Sequence, residues 1–217
     1  MVNSVPKIVL ASASPRRETL LRQLGLSFVV IPSDIQEVID ESLAPAQLVT
    51  ELASQKANFV AQSLPVIEAS KVTENQAQTI VIGADTIVVL DKKILGKPNT
   101  KEEAIEMLSF LSGMVHEVYT GIAMIVLKND GLKNDSVTES QVSKVRFKQL
   151  RQAEIEAYVA TQEPMDKAGA YALQGIGAAF VESIEGCYTN VIGLPIPTLV
   201  QMLRNLGVTV LGLAKIC

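Results

Sequence analysis

An acid stands between two apolar runs: residues 79–82 and 86–90 lie on either side of Gly83-Ala84-Asp85. Short apolar runs rich in β-branched residues predict buried strands. The turn residues Asp91-Lys92-Lys93 after the second run predict a hairpin. A sheet built on such strands must be covered by something else, and the rest of the chain supplies helices. Ser14-Pro15 reads as an N-cap followed by the first helical position, and Leu20, Leu21 and Leu24 recur at helical spacing until Gly25. Residues 45–63 predict a long helix with Leu48, Leu52 and Val60 on its apolar face. Thr100 and Glu103 make a capping box ahead of a helix through Leu111, and residues 152–161 and 197–206 predict two more helices. Further strands are expected at 7–11, 28–31, 118–127, 137–147, 178–184 and 188–192, with a surface loop at 66–78 and a turn at 128–134. Helices mixed with hairpins predict an α/β fold, a mixed central sheet with flanking helices.

The whole chain, residues 1–217, is expected to be one domain, because no linker is long enough to mark a second one. Net charge is -4, which speaks against non-specific binding to nucleic acid or an anionic membrane. An anionic substrate must then be held by a local cluster of basic residues. The two cysteines, Cys187 and Cys217, form no close pair and suggest a reducing compartment. Residues 1–6 are polar and predict no secretory signal, and no apolar stretch reaches a bilayer's width, so a cytoplasmic protein is expected. The single histidine, His116, rules out a multi-histidine metal site and is read as structural. A metal here would be held by carboxylates and phosphate oxygens, which favours magnesium or manganese.

Four segments carry chemistry. In Ala11-Ser12-Ala13-Ser14-Pro15-Arg16-Arg17 a strand runs through small residues into a helix, whose free N–H groups suit an anion. Ser12 and Ser14 add hydroxyls, and Arg16 and Arg17 add planar forks that match phosphate. The same residues also fit a capped helix with two solvated arginines. Asp85, flanked by apolar strand residues, needs a partner if buried; a metal ion or bound water would serve, and the carboxylate could take a proton from an attacking water. The alternative is a turn aspartate between two strands. Lys97 in Gly96-Lys97-Pro98 offers a point charge to phosphate, although loop lysines are common. In the stretch from Met165 to Gly175, glycines and alanines predict a closely packed loop in which Lys167 could hold phosphate and Gln174, through its amide, could read a base edge; a tight glycine-rich crossing with a surface lysine fits the same residues.

In order, ASASPRR, QKA, GADT, GKP, HEVYTG and DKAGAYALQG resemble the Maf family of nucleoside triphosphate pyrophosphatases, over residues 8–207. The resemblance implies an inosine-triphosphatase-like fold of two lobes around a cleft. It implies hydrolysis of a nucleoside triphosphate to the monophosphate and diphosphate with a divalent metal, and suggests a homodimer. By the same resemblance Asp85 is the general base, Glu37 a second metal carboxylate, and Lys56 a helix lysine of the cleft. Arg16, Arg17, Lys97 and Lys167 hold phosphates, with Ser12 in the same strand-end loop. Arg16, Thr86 and Gln174 resemble the branch acting on dTTP and UTP, with Arg16 nearer the base and Arg17 on phosphate alone. A family acidic pair is Gln36-Glu37 here, which leaves Asp34, Asp40 or Glu41 as further metal candidates. The alternatives are a nucleotide-binding regulator linked to septum formation, without turnover, and a nucleotidyltransferase.

Overall fold

The computed structural model describes residues 6–35, 38, 40, 42–68, 78–128 and 135–210. In chain order the elements are β1 (Lys7–Ala11), α1 (Pro15–Arg22), β2 (Phe28–Val30), α2 (Pro45–Glu68), β3 (Gln78–Leu90), β4 (Lys93–Leu95) and α3 (Lys101–Leu111). There follow β5 (Val115–Lys128), β6 (Asp135–Phe147), α4 (Gln152–Ala160), β7 (Val181–Glu185), α5 (Tyr188–Ile192) and α6 (Ile196–Asn205). The strands form one sheet in the order β2-β1-β3-β5-β6-β7, with β4 paired to β3. β1 is parallel to β2 and β3, while β3–β4 and β6–β7 are antiparallel, so the sheet is mixed as expected. Among the described residues no helix is long and apolar enough to cross a membrane.

The chain divides into two compact units. Unit 1 comprises Met1–Asp85, Gly121–Ser140 and Ile196–Cys217; unit 2 comprises Thr86–Thr120 and Gln141–Pro195. Unit 1 has a core in which Val9, Val81 and Ile125 pack with Ala53, Ala57 and Val60 of α2. Unit 2 has its own, built on Leu108, Phe147, Tyr158, Tyr171 and Phe180, with four of the aromatic rings in edge contacts.

The structure departs from the sequence pattern in four places. Residues 79–90 are not two strands around a turn: β3 runs unbroken through Gly83-Ala84-Asp85. A Cβ on Gly83 would lie 2.2 Å from the Ala53 carbonyl oxygen of α2, so the small residues serve close helix packing. Residues 188–192 are a helix, not a strand; extended Cys187 caps it and Gly193, at φ 122°, ends it. The β-branched side chains there pointed to a strand, and tertiary hydrogen bonding to Asn190 overrode that preference. Residues 176–180 form a 3-10 turn before β7, because the Glu163 carboxylate collects the N–H groups of Ile176 and Gly177. The loop expected at 66–78 is regular structure at both ends, since α2 continues to Glu68 and β3 begins at Gln78; residues 69–77 and 129–134 lie outside the described residues.

Candidate functional site

In unit 1 the parallel register sets Ala11, the last residue of β1, opposite Gly83. Ser12 therefore leaves the sheet beside the part of β3 that leads to Asp85. β1 is flanked by β2 on one side and β3 on the other, so the chain's path reverses direction across it. The carboxyl ends of strands at such a reversal are where open α/β sheets bind ligands.

Ser14 and Pro15 occupy the N-cap and first position of α1, but the Ser14 hydroxyl makes no capping bond. Ser12 takes that organising role instead. Its buried Oγ accepts the Ser14 backbone N–H at 3.2 Å and Arg17 Nη1 at 3.4 Å. Arg17 is thus tied to the strand-end loop, and Arg16 lies half-buried beside it at the start of α1. The helix N-terminus adds a favourable field for an anion.

Asp85 is 8% exposed and Lys56 of α2 is 9% exposed. Lys56 Nζ donates to Asp85 Oδ1. The partner a buried Asp85 required is therefore a lysine. Two apposed charges at this depth are tolerable only as a pair, since removing one strands the other. A carboxylate offers about four lone-pair sites, so the bond from Lys56 leaves Asp85 able to accept a proton or face a cation. Glu37 lies outside the described residues.

Thr86 follows Asp85 in an extended strand, so the two side chains point to opposite faces of β3. Within unit 2, Thr86 Oγ1 lies 2.9 Å from Thr120 Oγ1. Lys97 and Lys167 sit on segments joined by a backbone bond, Gly169 N–H to the Gly96 carbonyl at 3.0 Å. Gly169, at φ 67°, packs on Val88, so the expected close packing of the 165–175 stretch is against β3. Lys167 pairs with Asp166. Gln174 is exposed in a bend of the same stretch.

Several organising residues carried no readable signal. Glu163 staples the 165–177 loop: Tyr158 Oη donates to it at 2.9 Å, as do the N–H groups of Ile176 and Gly177. Burial opposes its charge, but those backbone donors and the tyrosine hydroxyl outweigh it and hold the carboxyl below its ordinary range. Thr120, Ser143 and Asn190 form a buried hydrogen-bonded group whose members are far apart in sequence. Only Thr120, inside HEVYTG, fell in a segment the sequence singled out. His116 is buried, with Nε2 2.8 Å from Tyr171 Oη and its ring edge-on to Phe147, in keeping with a structural role.

A dTTP/UTP pyrophosphatase of Desulforamulus reducens is 49% identical over 203 residues, covering 94% of this chain and 98% of that protein. A dTTP/UTP pyrophosphatase of Acetivibrio thermocellus is 49% identical over 205 residues, with coverage of 94% and 98%. The Staphylococcus aureus Ham1 protein structure aligns with 15% identity and a TM-score of 0.42, over 92% of this chain and 98% of that one. The family model described as Maf-like protein matches residues 7–206, from the first residue of β1 to just past α6, and the chain belongs to the Maf family.

Proposed function

We propose that the chain hydrolyses dTTP and UTP to the nucleoside monophosphate and diphosphate. The observation that carries this is the buried Asp85–Lys56 pair beside the Ser12–Arg17 strand-end loop, at a strand-order reversal. The names of the relatives supply the nucleotide. Asp85 accepts the proton of the attacking water. Lys56 orients that carboxylate and offsets local negative charge. Arg16, Arg17, Lys97 and Lys167 hold phosphate oxygens, Ser12 shapes the loop that presents Arg17, and Thr86 and Gln174 meet the base, with Arg16 on the base side of the phosphates.

A divalent ion fits this donor set. Asp85 is a hard oxygen donor, and Glu37 is proposed as a second. Among the described residues no three His, Cys, Asp or Glu groups converge. The remaining ligands would be phosphate and water, as is usual for magnesium held by one or two carboxylates. Bound there, magnesium or manganese would draw charge from the phosphate oxygens. The proposal includes action of residues 1–217 as one domain, as a cytoplasmic homodimer.

Diphosphate release from a panel of nucleotides, with and without magnesium or manganese, tests the reading. Release from dTTP and UTP is expected, and Asp85→Asn should lower it by about 10²–10⁴-fold with an unchanged circular dichroism spectrum. Near-normal turnover by Asp85→Asn with metal present rejects the assigned base. Binding without release from any nucleotide would favour the regulator. Release only with an added acceptor would favour the transferase.

A further inference from the structure

Gln174 sits in a bend of unit 2 whose two ends are tied to one pair of side chains. At the start of the bend the Ala172 N–H donates to Tyr158 Oη at 3.3 Å. At its end the N–H groups of Ile176 and Gly177 donate to the Glu163 carboxylate, at 3.0 Å to Oε2 and 3.1 Å to Oε1. Tyr158 Oη joins the two anchors by donating to Glu163 Oε1 at 2.9 Å. The glycines let the chain come this close. An added Cβ on Gly175 would stand 2.4 Å from Glu163 Oε1, and one on Gly177 2.6 Å from Tyr158 Oη. The anchors are themselves held: the Glu163 N–H donates to Thr161 Oγ1 at 3.2 Å, and the buried Tyr158 ring packs edge-on against Phe180. Residues 173–175 span the gap between the tied ends, and the exposed Gln174 is the middle one. The Lys167 backbone is anchored separately, by its N–H to the Pro164 carbonyl and by the Gly169 N–H to the Gly96 carbonyl.

We propose that Glu163 is a positioning residue for base recognition: with Tyr158 it pins both ends of the 172–177 bend and so fixes where Gln174 meets the base. This rests on the proposed reading that Gln174 contacts the base. A carboxylate suits the task because it only accepts, and the three groups bonded to it all donate. Glu163→Gln keeps the shape but must turn an amide N–H toward a donor. In one orientation that donor is the Ile176 N–H; in the other it is the Gly177 N–H together with the Tyr158 hydroxyl. A bend released at one end spreads over many conformations, and ordering it again when the nucleotide arrives weakens binding.

The test is a double-mutant cycle on kcat/KM for UTP in the full-length protein, with Glu163→Gln, Gln174→Ala and the two combined. Each single change should lower kcat/KM about three- to tenfold, the worth of one hydrogen bond, chiefly through KM. With Gln174→Ala already present, Glu163→Gln should add less than about a twofold loss, because no reader is left to position. Inhibition by inorganic tripolyphosphate, which has phosphates but no base, should keep its constant in Glu163→Gln. Tyr158→Phe, which cuts the tie to Ala172, runs the same cycle should Glu163→Gln fold poorly. The proposal is overturned by equal losses with and without Gln174, by no loss at all, or by weakened tripolyphosphate inhibition. If Gln174→Ala keeps kcat/KM for UTP, Gln174 does not meet the base, and the underlying reading falls too. If Gln174→Ala lowers it and the cycle is additive, the base contact stands and only the positioning role of Glu163 falls.

Discussion

His116 shows what one buried side chain costs the molecule as pH falls. Burial lowers its pKa from 6.5 to about 4. The folded state therefore holds the ring neutral, while the unfolded chain takes up a proton below about 6.5. Where the unfolded state binds more protons, stability rises with pH. This contribution is fully present above pH 6.5 and is lost as pH falls through the window down to about 4. Between pH 7 and pH 5 the loss should be about 2 kcal/mol, read from urea midpoints. The double variant His116→Phe with Tyr171→Phe removes the ring and its hydrogen-bond partner together, and should lose correspondingly less over that range. An equal loss in wild type and variant would place the acid sensitivity elsewhere. Asp85 announced itself because an acid among β-branched strand residues contradicts burial, and the structure resolves the contradiction with Lys56. Asn190 gave no such contradiction. Its importance comes from Thr120 and Ser143, which are 70 and 47 residues away in sequence, and no local pattern encodes that.

At the scale of elements, α2 lies unusually close to the strands it covers in unit 1. An added Cβ on Gly121 would sit 2.2 Å from the Val49 carbonyl, one helical turn before Ala53, whose carbonyl blocks the same addition on Gly83. Ala53 and Ala57 continue the small-residue stripe and are fully buried. This approach sets the depth at which Lys56, next to Ala57, reaches Asp85. Gly83→Ala must push helix backbone away, because the nearest obstructing atoms, the Ala53 carbonyl oxygen and the Ala57 backbone nitrogen, belong to α2 itself. A loss of about 1–3 kcal/mol is expected, together with weakened turnover as Lys56 withdraws. Gly96→Ala, with nothing within 4 Å of its added Cβ, should shift stability by no more than about 0.5 kcal/mol. Thermal melts of the two variants decide the point; equal melting temperatures would refute the packing argument. Helices were largely legible here because their signals are local. Pro15 at the first turn of α1 and Thr100 accepting from the Glu103 N–H fall where spacing put them. Strand boundaries were less legible. The small residues of Gly83-Ala84 read as a break along the chain, whereas their meaning lies across it, in the helix they admit.

For the whole molecule, the decisive fact is how often the backbone passes between the two units. It does so at Asp85/Thr86, Thr120/Gly121, Ser140/Gln141 and Pro195/Ile196. The first three of these points lie inside β3, β5 and β6, so each of those strands contributes to both units. Neither unit is a contiguous stretch that could fold as an excised piece, and melting one would release strand residues continuous with the other. That connectivity predicts a single cooperative unfolding transition. The sequence furnishes the probes. All four tyrosines, Tyr119, Tyr158, Tyr171 and Tyr188, belong to unit 2, and the chain has no tryptophan. The longest helix, α2 with 24 residues, belongs to unit 1. Tyrosine emission therefore follows unit 2, whereas much of the far-UV helical signal follows unit 1. Equilibrium urea unfolding should give coincident midpoints and slopes by the two signals, and Gly83→Ala, a change in unit 1, should move the tyrosine transition as far as the helical one. If tyrosine emission holds while the helical signal melts, the units unfold separately and strand continuity does not couple them.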